Sequence, residues 1–141
     1  MSNILNTIFN TRELSIFATA IKITSLDKIL TDSCEYTIFA PNNLAFAQLS
    51  KVNLHILTDD IWLLTEILSI HMVTGRFGYQ DLLKMCKQGN PEVILTAIDS
   101  SPLKVNLSDG IKVDKSTVLS TDTSASNGII HSIDRVMIPE K

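Results

Sequence analysis

The stretch Asn127-Gly-Ile-Ile-His-Ser-Ile-Asp-Arg-Val-Met-Ile-Pro139 decides the fold. Asn-Gly predicts a tight turn, with the positive φ that glycine tolerates. The β-branched run behind it predicts a strand that continues to the proline. Two polar side chains, His131 and Asp134, interrupt that apolar run. Neither sits in a buried strand without a hydrogen-bond partner, so both are expected to hold neighbouring backbone.

Two further segments precede it. Tyr36-Thr-Ile-Phe-Ala-Pro-Asn-Asn-Leu-Ala-Phe-Ala-Gln-Leu49 reads as an aromatic, β-branched strand stopped by Pro41, followed by a helix that Asn42 caps. Ile67-Leu-Ser-Ile-His-Met-Val-Thr-Gly-Arg76 reads as a helix-to-strand junction carrying an internal histidine. In this order, the three segments resemble the signatures of the fasciclin-type adhesion domain. The last keeps the pattern Asn-Gly-x-Ile-His-x-Ile-Asp, the first its Ala-Pro and Ala-Phe, and the middle one its histidine and glycine. The resemblance spans about Asn3 to Pro139, so residues 1–141 are expected to form one domain. It implies a compact β-sandwich or wedge of about six to seven strands, with helices of the N-terminal half packed along one edge. The family is defined by a binding scaffold, not by a reaction.

At 141 residues, 45% apolar and 19% charged, the chain is long enough to bury its own core. The net charge is −3, and lysines and arginines stand singly, so counterion release gives no drive toward nucleic acid. No window reaches the roughly 18 consecutive apolar residues of a membrane helix. The N-terminus has no cationic stretch before an apolar one, so it does not read as a signal peptide. That predicts residence in the cytoplasm, whereas the resemblance favours the cell surface or the extracellular space. Short single-domain members of this kind point to a bacterial source. Cys34 and Cys86 match no metal or redox spacing and are expected to be separate thiols.

Periodicity fills in the rest. Asn10 and Glu13 suit a capping box ahead of a helix to about Lys22, with Leu14, Phe17, Ala18 and Ile21 inward. Ser25 is placed to cap a short helix through Leu30. Leu44, Ala45, Phe46 and Leu49 lie on the helix after Asn42. The resemblance puts an acid where Leu44 stands, a loss of about 0.3–1 kcal/mol at the helix start. Asp59 or Asp60 starts a helix through Ser69, with Trp62, Leu63, Ile67 and Ile70 toward the core. Gly75 and Gly78 bracket a turn, and Gln80 to Lys87 is helical. Glu92–Ile98, the alternation Leu103, Val105, Leu107, a turn at Asp109-Gly110, and Thr117–Thr121 are strands or strand links. Helices first and strands second make the class α+β.

Four residues are candidate contacts: Asn42, His71, His131 and Asp134. The resemblance sets His71 in a Tyr-His pair tied to adhesion, but Ile70 replaces the tyrosine and removes its hydroxyl. Architecture offers another role for His71, a buried ring bonded to backbone at the helix-to-strand junction. His131, Ser132 and Asp134 do not form a triad, because neighbours on a strand point to opposite faces. His55, His71 and His131 match no zinc spacing, and no cofactor is expected. The expected function is therefore a non-enzymatic binding module for a protein or glycan partner. The alternative is a small intracellular domain that holds an apolar ligand, such as a lipid, between helices and sheet.

Overall fold

A computed structural model describes residues 3–28, 30, 34–47, 60–86, 89–108, 110–113 and 116–137, without the side chains of 120–122. Leu49, His55, Asp59, Lys87, Asp109, Ile138 and Pro139 lie outside the described residues.

The chain opens with a helix that periodicity had not marked. In α1, Ile4–Phe9, the Asn3 Oδ1 accepts the Asn6 N–H at 2.8 Å, and Ile4 and Ile8 turn inward one turn apart. Asn10 is the C-cap of that helix, so the expected capping box with Glu13 does not form. Instead a 3-10 turn, Arg12–Leu14, leads into α2, Ser15–Thr24. The cap of α2 comes from elsewhere in the chain: Asn43 Oδ1 accepts the Ile16 N–H at 3.0 Å. A distant amide has taken the place of the local one. Ser25 ends α2 in the left-handed region at φ 62°, and a 3-10 turn, Leu26–Lys28, follows it.

Strand β1, Tyr36–Pro41, is buried at every position, as a central strand covered on both faces must be. Helix α3, Asn43–Ala47, follows. Helix α4, Ile61–Ser69, starts at Asp60, whose Oδ1 accepts the Trp62 and Leu63 N–H groups. Leu64, Ile67 and Leu68 are buried, but Trp62 is 84% exposed, against its expected place in the core. It lies in the first turn beside the cap, on the side of α4 away from Leu64 and Leu68. Strand β2, Met72–Thr74, leads through Gly75 (φ 111°) to α5, Tyr79–Met85.

The remaining strands are β3, Glu92–Thr96, β4, Pro102–Asn106, β5, Lys112–Val113, β6, Ser116–Ala125, and β7, Gly128–Ile133. They form a seven-stranded sheet in the order β2-β1-β7-β6-β5-β4-β3. All neighbours are antiparallel except β1 and β7, which run parallel from Tyr36↔Gly128 to Pro41↔Ile133. The two ends of this order meet again. Val73 bridges Ala97, and the Ile98 N–H reaches the Met72 carbonyl at 2.9 Å, so the sheet folds over on itself.

Two apolar clusters result. One is enclosed by the folded sheet and α5, and includes Phe39, Leu82, Leu95, Val105 and Ile133. The other packs α1, α2 and α4 against β1, through Ile8, Phe17, Ile67, Ile38 and Ile130. The α+β architecture expected from sequence is thus present, with its helical layer in the N-terminal half.

Two expectations for the terminal stretch change. Strand β7 ends at Ile133, because Asp134 turns the chain by accepting the Thr117 N–H; Val136 and Met137 are buried outside the ladder. Gly128 does not have positive φ. It is glycine for another reason: a Cβ there would overlap the Tyr36 carbonyl oxygen of β1 and meet Ile4 Cδ1 at 2.6 Å.

Candidate functional site

His71 stands just after α4, where the chain turns into β2. Its Nδ1–H donates to the Ile67 carbonyl at 2.8 Å, one helical turn back. That fixes the tautomer and leaves Nε2 as an acceptor, which takes the Met137 N–H at 2.9 Å. The His71 carbonyl accepts the Phe39 N–H at 2.8 Å, so one residue holds α4, β1 and the chain beyond β7. The ring is wholly buried, with Phe17 tilted against it at 6.3 Å between centroids. Burial pushes its pKa down to about 4, against the opposing pull of the Ile67 carbonyl.

His131 pairs with Phe39 across the parallel ladder, and the two rings stack at 5.4 Å. Its Nε2 lies 2.9 Å from the Phe77 carbonyl in the turn before α5. The same turn is held from β1, where Thr37 Oγ1 donates to the Gly75 carbonyl and accepts the Phe77 N–H. This ring too is wholly buried.

Asp134 and Thr117 clasp each other. Asp134 Oδ1 accepts the Thr117 N–H at 2.8 Å, and the Asp134 N–H returns to the Thr117 carbonyl at 3.1 Å. Asn42 Oδ1 caps α3 through the Ala45 N–H at 2.8 Å, and the Asn42 N–H reaches the Ile133 carbonyl at 3.1 Å. Asn42 and Asp134 are half-buried.

All four residues therefore gather on β7 and its exit, each through backbone. Ser132 is not drawn into their company: it lies on the opposite face from His131 and lines a cleft under the helices. Among these four residues and Ser132, no nucleophile, base and acid converge. Among the described residues, no three His, Cys, Asp or Glu side chains are grouped to hold a metal ion. Cys34 and Cys86 are separate free thiols. Among the described residues no helix is long and apolar enough to cross a membrane.

Asn127 has a role that sequence reasoning missed. Read as a turn former, it is buried, and its Oδ1 accepts the Ile4 N–H at 2.7 Å across 123 positions of chain. An asparagine fixed between an apolar N-terminal helix and an apolar strand was the available signal, since helix starts need acceptors.

Comparison with known proteins points one way. The family model for the fasciclin domain matches residues 12–139. An uncharacterized protein of Synechocystis is 31% identical over 138 residues, 98% of each chain. Human periostin is 25% identical over 91% of this chain, which corresponds to 15% of periostin. A solved fasciclin domain pair from the insect cell adhesion molecule fasciclin I superimposes with a TM-score of 0.79 at 21% identity, over 99% of this chain and 51% of the pair.

Proposed function

The chain belongs to the fasciclin domain family, and from that premise we propose that it is a non-enzymatic binding module contacting a protein or glycan partner. One observation carries the reading. The polar groups that look chemical in sequence, His71, His131 and Asp134, are spent on backbone hydrogen bonds inside the fold. A general base has to reach a substrate proton, and two enclosed rings do not. The half-buried Asn42 and Asp134 offer the accessible part of the contact region, while His71 and His131 set the backbone on which it rests. Adhesion is carried over from the insect relative as the kind of contact involved.

Fractionation of the native cell tests this reading. Recovery in the envelope or medium is the expected result; recovery only in the cytoplasm would sink adhesion. Hydrolysis of an ester panel that is lost in His71→Ala or His131→Ala would sink the non-enzymatic part.

A second reading, an intracellular binder of an apolar ligand, is favoured by an open groove of about 360 Å³ where β2 and β3 meet. Val73, Phe77, Met85, Ile94 and Leu95 line it. A retained lipid would appear in a native mass spectrum as a defined added mass.

A further inference from the structure

The strand β6 leaves its register with β7 twice, between Val118 and Ser120 and between Ser120 and Thr123. A bulge bends its strand and breaks the ladder locally. There the helical layer and the sheet part to leave an open cleft of about 320 Å³. Leu14, Leu119 and Ile130 give it apolar walls; Thr7, Thr11, Glu13, Asn42, Thr123 and Ser132 give it polar ones.

Counting hydrogen-bond capacity shows what remains available in the cleft. Thr7 and Thr11 each donate to a helix carbonyl, to Asn3 O and Thr7 O, so their hydroxyl oxygens are left as acceptors. Asn42 spends its Oδ1 on the α3 cap, while its Nδ2, with two donors, has no partner among the described residues. The hydroxyls of Thr123 and Ser132 likewise have none there, so each offers a donor and an acceptor. Glu13 is the one charged side chain among the described lining residues, and it repels anions.

We infer that this cleft binds a small neutral polyol, the terminal sugar unit of a glycan. Donors and acceptors interleave around apolar walls, as a pyranose interleaves hydroxyls with C–H faces. The volume suits a ligand of one or two rings. No aromatic ring among the described lining residues stacks a sugar, so the affinity is weak. The inference rests on the binding-module reading and names its ligand and place.

The test is a ¹⁵N–¹H NMR titration with glucose, galactose, mannose, N-acetylglucosamine and their β-linked disaccharides, run beside glucuronic acid and a neutral hexapeptide. The expected result is saturable shifts at Thr7, Thr11, Asn42, Thr123 and Ser132 with at least one neutral sugar. Ser132→Ala and Asn42→Asp, the latter keeping the cap oxygen while removing the donor nitrogen, should each weaken binding roughly five- to tenfold. The dispersion of the same spectra reports that each variant is folded. No shifts with any neutral sugar, shifts that ignore both variants, or tighter binding of glucuronic acid or peptide would overturn the proposal. A silent cleft in a protein recovered at the envelope overturns the sugar site alone. A responsive cleft in a cytoplasmic protein overturns adhesion alone.

Discussion

Gly128 and His71 carry more of the fold than their size suggests. Gly128 lies against the Tyr36 carbonyl without needing positive φ, so even one methyl group there has no room. Gly128→Ala should destabilise the domain by about 3 kcal/mol or more, as an overpacked core does. A urea midpoint close to that of the native chain would remove the close-approach account. His71 makes a claim about pH. Its folded pKa of about 4 lies below the ordinary 6.5, so between these values the unfolded chain binds more protons than the folded one. Its stabilisation is full above about pH 6.5 and is lost as pH falls toward 4, amounting to about 3 kcal/mol. Urea midpoints at pH 7 and pH 4.5 measure the loss, and His71→Gln isolates the ring's share by flattening it. Equal slopes in both proteins would refute a buried, neutral His71.

Among the elements, α4 separates core from ornament. Trp62 is 84% exposed beside the Asp60 cap, whereas Ile67, in the following turns, is 2% exposed. Trp62→Ser should change stability by less than about 0.5 kcal/mol, while Ile67→Ala should cost about 2–5 kcal/mol. Thermal melts of the two variants check the ranking, and a large loss at Trp62 would return it to the core. The same helix shows what sequence makes legible. Asp60 caps locally, so its start was readable; the inward face at Ile67 follows from period. The start of α2 was not, because its cap is Asn43, brought in only by folding. Strand alternation exposed β4, and the apolar terminal stretch exposed β7. Its true end at Ile133 depends on Asp134 finding Thr117 in β6, a contact no window along the chain contains. The histidines were readable as buried and bonded, but not by which backbone. The cleft under the helices was invisible, since its walls come from α1, β6 and β7, segments far apart in sequence.

For the molecule as a whole, pairing is long-range at its centre. The first strand and the last lie side by side, and the Ile4 N–H is held by Asn127 at a separation of 123 residues. Non-local sheets of this kind refold in milliseconds to seconds, not microseconds. Stopped-flow circular dichroism would show it, and a complete signal within the dead time would contradict the topology's hold on the rate. The parallel partnership of β1 and β7 also sets a timetable for biosynthesis. As the ribosome extends the nascent chain, β1 can pair with β2 soon after it emerges, but its other edge must wait until β7 follows much later. Until then its flank is open, and in that interval a chaperone has the strongest reason to hold this protein.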